Sequence, residues 1–174
     1  KCVARSRYTA VYASPLKRAQ QTAYPFAHDF GLDIVTSPLL IEAGSNLENE
    51  LLTPKSILTT PRIWKHLGNV RTPSWGEHYA KMVERMLAMA HQAVRENRGH
   101  EAVCVCHQCV IWVLRLFAEE KSLGHHPGKR MCSLGSITTL VFDGDIITDI
   151  EYQEPSGTSD PASVKSDFTQ GLQA

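Results

Sequence analysis

An arginine and a histidine occupy equivalent corners of this chain, and both side chain types suit an oxyanion. His107 follows the apolar run Ala102-Val103-Cys104-Val105-Cys106 and precedes Val110-Ile111-Trp112-Val113-Leu114. That pattern reads as a buried strand handing over to a helix. The first N–H groups of a helix are unpaired and carry partial positive charge, which favours a bound anion. Arg18 repeats the arrangement, because Thr9-Ala10-Val11-Tyr12-Ala13 ends at Ser14-Pro15-Leu16-Lys17-Arg18, where a helical pattern begins. Two strand-to-helix corners, one carrying a guanidinium and the other an imidazole, point to a phosphate pocket.

The elements that must position these groups follow from periodicity. Tyr8 to Ala13 reads as the first strand, and a helix is expected from about Pro15 to Phe30. Its apolar positions are Leu16, Ala19, Ala23, Phe26, Ala27 and Phe30. Ser14 is the expected N-cap, Pro15 fits the first turn and Gly31 ends the helix. Ile34-Val35 suggests a short strand. Pro38 to Pro73 has no clean period beyond a short helix near 61–67, and so long an excursion suits a binding loop or lid. Ser74-Trp75-Gly76-Glu77 should open the longest helix, whose stripe runs Tyr79, Met82, Val83, Met86, Leu87, Ala90 and Val94. Glu77, three residues after Ser74, also satisfies a capping box, which explains it without any chemistry. Glu101 to Cys106 is the second strong strand, and a helix spans Cys109 to Phe117. Ile137 to Phe142 and Ile146 to Tyr152 flank Asp143-Gly144-Asp145, a hairpin signal.

Alternating strands and helices with a terminal hairpin imply a three-layer α/β sandwich, its central sheet mostly parallel with an antiparallel hairpin at one edge. Ligands in such sheets bind beyond the carboxyl ends of the strands, where Arg18 and His107 both fall. A chain of 174 residues that is 43% hydrophobic can bury one core. Lys plus Arg and Asp plus Glu are 18 each, which argues against a general nucleic-acid or membrane-surface partner. No apolar run is long enough to span a bilayer. Five cysteines, three of them crowded at Cys104, Cys106 and Cys109, suggest reduced thiols and a cytoplasmic setting rather than a secreted disulfide framework.

Ala13-Ser14-Pro15-Leu16-Lys17-Arg18-Ala19-Gln20-Gln21-Thr22-Ala23 closely resembles the second arginine motif of the histidine phosphatase superfamily, also called phosphoglycerate mutase-like. Three further segments occur in family order. Leu40-Ile41-Glu42-Ala43-Gly44 resembles the stretch that supplies the acid, Gly76-Glu77 resembles Gly-Glu-Ser, and Val103-Cys104-Val105-Cys106-His107 resembles the Val-x-Val-Ser-His strand end. The resemblance covers residues 8 to 152 and marks a divergent branch of the family.

That resemblance implies phosphoryl transfer through a phosphohistidine, with no cofactor and no metal. A histidine nucleophile divides a hard displacement into two easier steps, and cations must surround the transferring oxygens. Arg18 would bind two phosphate oxygens with its fork and His107 would donate a further contact. Glu42 would protonate the leaving alkoxide and then deprotonate water, with Glu48 and Glu50 as competitors for that role. Arg18, Glu42 and His107 are the candidate catalytic residues, and Arg18, His107 and Gln108 the candidate substrate-binding ones. The expected reaction is hydrolysis of a small phosphate monoester, with mutase-type transfer as the runner-up.

Departures from the family pattern accompany the match. The nucleophile lies in an Arg-His-Gly motif ahead of Ser-Pro-Leu, whereas the 13 residues before Ser14 contain no histidine. An upstream portion bearing that central strand is therefore expected. Residues 1–153 are read as one phosphoglycerate mutase-like domain and 154–174 as a disordered tail. Gln108 stands where Gly is usual, and His78 where Ser is usual. Two rival readings remain: Cys106-His107-Gln108-Cys109 as a C-x-x-C redox or metal site, and a catalytically inactive phosphate-binding module. The Gly124 to Arg130 segment, with His125 and His126, reads as a solvated turn whose cations could reach an anionic substrate.

Overall fold

The computed structural model describes residues 7–43, 77–124 and 130–155. The 61–67 helix, Glu48, Glu50, Ser74, Gly76, His125, His126 and the tail beyond 155 lie outside the described residues, as does most of the Pro38 to Pro73 excursion.

Strand β1 (Tyr8–Ala13) is the centre of a parallel sheet, flanked by β2 (Ile34–Thr36) and β3 (Glu101–Val105). Helix α1 (Lys17–Phe30) follows β1. A short 3-10 turn at Pro38–Leu40 comes after β2, and helix α2 (Tyr79–Glu96) precedes β3. Helix α3 (Gln108–Ala118) leaves the end of β3, and strands β4 (Ile137–Asp143) and β5 (Ile146–Gln153) form a hairpin.

Alternation along β1 sorts the core into two layers, because successive side chains point to opposite faces. Val11 and Ala13 pack with Ala23 and Ala27 of α1, joined by Phe26, Leu32, Ile34 and Val105. Tyr12 faces the other way, into a cluster with Met82, Met86, Met89, Val110 and Val113 of α2 and α3. Helices on both sheet faces give the three layers the sequence calls for. Each fully buried Val or Met contributes about 1.5–3 kcal/mol, so this double-sided burial fixes the sheet register and the strand ends with it.

Three local differences have physical reasons. Helix α1 begins at Lys17 with Leu16 in the N-cap position and no side-chain cap, because leucine has no acceptor to offer, while the Ser14 hydroxyl two residues earlier meets the His107 ring. Helix α2 begins at Tyr79, later than the sequence suggests, which leaves Glu77 outside the helix and its carboxylate paired with Arg85. That placement removes the capping-box account of Glu77. The hairpin forms its own two-stranded ladder, with Gly144 in its turn at φ 61°. Side chains dock it: Arg115 of α3 stacks on Tyr152 at 4.5 Å, and Phe142 meets His91 of α2 edge-on at 5.8 Å. Elsewhere the sequence boundaries hold within two residues, and Gly31 ends α1 in the left-handed conformation at φ 65°.

Candidate functional site

Parallel pairing puts the carboxyl ends of the three strands level, since Ala13 is opposite both Thr36 and Val105. Backbone hydrogen bonds carry the alignment past the sheet: Ser14 N–H donates to Val105 O at 2.9 Å and Ser37 N–H to Ala13 O at 2.9 Å. The residues that follow β1 and β3 therefore emerge side by side. His107 occupies the N-cap position of α3, and Arg18 lies in the first turn of α1.

These two side chains meet. Arg18 Nε donates to His107 Nδ1 at 3.3 Å. His107 Nε2 lies 2.8 Å from Ser14 Oγ, and both residues are buried. A guanidinium N–H is always a donor, so Nδ1 is the acceptor and the single ring proton of a neutral imidazole sits on Nε2. Ser14 Oγ then accepts from the ring, as it does from Leu16 N–H at 3.3 Å. His107 consequently cannot take a proton from Ser14 through Nε2, which disposes of a serine–histidine nucleophile here. Gln20 secures the corner by donating to Ser14 O at 2.7 Å and to Thr36 Oγ1 at 3.3 Å.

Burial comes first among the causes that lower the His107 pKa to about 4 from 6.5, followed by the positive charges of Arg18 and Arg85. The resting imidazole is neutral near pH 7. Glu42 shifts in the opposite direction to an ordinary surface carboxylate. Burial raises its pKa, while the Ala43 N–H bonded to Oε1 at 2.9 Å and the charges of Arg130, Arg18 and Arg85 only partly offset it. A carboxyl whose proton affinity is raised by burial is suited to general-acid work.

Arg85 connects this acid to the scaffold. Its Nε and Nη2 donate to the two oxygens of Glu77 at 2.8 and 2.7 Å, and its Nη1 donates to Leu39 O at 2.6 Å, three residues before Glu42. Gln108, a candidate substrate ligand, has its amide NH2 donating to Cys132 O at 2.6 Å. Its side-chain donor thus holds the start of α3 against the segment before β4. The roles of Ser14, Gln20 and Arg85 carry no sequence signal beyond membership of a motif or a helix, because each depends on a contact across the fold.

The thiols sit in surroundings that disfavour thiolates. Cys104, Cys106, Cys109 and Cys132 are free, and burial pushes Cys104 up to about 12 and Cys106 higher still. Redox and metal-binding cysteines need the opposite shift. Among the described residues, no helix is long and apolar enough to cross a membrane.

Comparisons with known proteins give the family and the fold. The model of the histidine phosphatase superfamily (branch 1) matches residues 1–150. An uncharacterized protein of Mycobacterium tuberculosis is 43% identical over 148 residues, covering 84% of this chain and 73% of the relative. Among solved structures, YhfR of Bacillus stearothermophilus superposes with a TM-score of 0.64 at 21% identity, over 80% of this chain and 70% of that one. The native mycobacterial glucosyl-3-phosphoglycerate phosphatase gives a TM-score of 0.52 at 18% identity, over 70% of this chain and 62% of that one. Its complex with VO3 gives 0.60 at 16% identity, over 87% and 77%. Matched by that family model over residues 1–150 and by a 43% identical relative over 84% of its length, this chain belongs to the histidine phosphatase superfamily, branch 1.

Proposed function

We propose that the protein hydrolyses a small phosphate monoester through a phosphohistidine, with the phosphoryl group held between Arg18 and His107. The observation that carries this reading is the 3.3 Å approach of Arg18 Nε to His107 Nδ1 across 89 residues of sequence. Both groups lie at strand ends, where the start of α3 adds to the positive potential. The solved phosphatase among the structural neighbours supports the same class of substrate.

The chemistry divides into two displacements. A histidine nitrogen attacks phosphorus, the N–P bond forms as the P–O bond to the leaving group breaks, and Glu42 gives its proton to the departing alkoxide. Glu42, now ionised, then takes a proton from water, which attacks phosphorus and releases phosphate as the N–P bond breaks. Arg18 balances the charge on the equatorial oxygens throughout, with His107 beside it. The phosphoacceptor in this reading belongs to an Arg-His-Gly segment, a motif that none of the 174 residues contains. Assays therefore use the intact protein.

Arg18→Ala and His107→Ala should each remove most turnover of p-nitrophenyl phosphate while far-UV circular dichroism stays unchanged. Full turnover in both folded variants rejects the assignment.

A further inference from the structure

The site contains an imidazole whose single ring proton is already committed. Its Nε2–H is spent on Ser14 Oγ at 2.8 Å, and Nδ1 is bare toward Arg18 Nε at 3.3 Å. Ser14 is itself fixed from three sides. Its backbone N–H is bonded to Val105 O, its carbonyl to Gln20, and its hydroxyl to Leu16 N–H. A resting ring held this way presents a lone pair, not a donor, to whatever replaces Arg18 Nε. Oxyanions also present lone pairs, so the arrangement as it stands repels the ligand that Arg18 attracts.

We infer that Ser14 is a positioning residue that holds His107 as its Nε2–H tautomer, so that a bound dianion must bring one proton onto Nδ1. On binding, Arg18 turns its N–H groups to the anion, Nδ1 takes a proton from solvent and the new Nδ1–H donates to a second oxygen. Nε2–H stays on Ser14. The inference rests on the phosphate-pocket reading above and adds the protonation change to it.

The groups facing His107 agree with this direction. Burial first, and then the cationic Arg18 on α1 and Arg85 on α2, keep the ring neutral. The Cys106 thiol, one residue beyond β3, is pushed toward its neutral form chiefly by burial and brings no negative charge to the ring. Glu42 is within the field of Arg18 and Arg85 and its carboxyl pKa is raised, so it does not supply an opposing negative charge while protonated. A dianion cancels the field of the two arginines, and the proton affinity of Nδ1 then rises.

Sulfate is the probe, because it remains a dianion through the neutral range. Calorimetric titration of the intact protein with sulfate, in buffers of different ionisation heat across mildly acidic to neutral pH, should show uptake approaching one proton per sulfate. The dissociation constant should rise about tenfold per pH unit over the interval of uptake. Nitrogen-15 spectra of the unliganded protein should show His107 as a single Nε2–H tautomer. Ser14→Ala should mix the tautomers and weaken sulfate binding about tenfold, and Ser14→Thr should restore both. Sulfate binding with no proton uptake at any pH overturns the inference and leaves the phosphate pocket standing. An Nδ1–H or mixed tautomer in the unliganded protein also overturns it. Failure to bind sulfate at all removes the pocket itself, and this inference with it.

Discussion

Arg85 and Glu77 form a two-pronged ion pair at 2.8 and 2.7 Å, with side chains only 14% and 22% exposed, and the third arm of the same guanidinium holds Leu39 O. One arginine therefore binds the approach to α2 and the 3-10 turn ahead of Glu42 into a single unit. Removing one partner of a largely buried pair strands the other charge, which costs about 3 kcal/mol. Arg85→Ala should lower the unfolding free energy read from urea titration by that amount, through a lower midpoint at unchanged m-value, and kcat should fall as Glu42 loses its tether. Arg85→Lys should recover little, because an ammonium cannot span both oxygens and the carbonyl. Wild-type stability in either variant would show that the pair is idle.

A neutral buried imidazole makes stability depend on pH. His107 binds a proton near 6.5 when unfolded and near 4 when folded. Its contribution is present above pH 6.5 and is lost as pH falls toward 4, because only the unfolded chain gains the proton in that window. The full effect is about 3 kcal/mol. His107→Gln should flatten the corresponding slope in urea titrations between those pH values. An identical slope in wild type and variant would contradict the lowered pKa.

Glu42 runs the other way. Its folded pKa is raised by burial, so its stabilising contribution is complete below the unfolded carboxylate range and declines as pH rises through the folded value. Activity should have a descending alkaline limb for the same reason, since the acid must hold its proton at the first displacement. Glu42→Gln should remove that limb and should slow alkyl phosphates far more than p-nitrophenyl phosphate, whose leaving group needs little protonation. Equal losses on both substrates would assign the acid elsewhere.

Legibility in the sequence followed the range of the interaction. Alternation and helical stripes are local, so β1 came out at its observed bounds and α1, β3, α3 and the hairpin within two residues. Arg18 and His107 were legible because a motif and a strand end marked each one, and the fold brings them together. Glu77 misled for a physical reason: the Ser-x-x-Glu spacing of a capping box is also available to a glutamate that pairs with an arginine two helical turns on. Ser14 read as a helix cap because serine favours that position. Its bond to a ring 93 residues away has no local trace. Gln108 stands beside His107 in the chain, and the bond from its amide to a carbonyl 24 residues further on has no local trace either.

The thiols separate the phosphatase reading from the C-x-x-C alternative. A redox pair requires an accessible thiolate, and burial drives Cys104 to about 12 and raises Cys106 and Cys109 as well. Ionised Glu42 adds a smaller contribution to the upward shift that burial causes at Cys106 and Cys109. In native protein at pH 8, these three cysteines should react with a disulfide reagent orders of magnitude more slowly than a free thiol, and at full rate once urea unfolds the chain. Cys106→Ser should leave phosphate-ester turnover within about twofold, the sulfur-to-oxygen change costing little where the group serves mainly as an acceptor for the His107 N–H. Rapid native labelling at Cys106, together with thiol–disulfide exchange lost in Cys106→Ser, would instead establish the redox site and leave the Arg18 corner without a function.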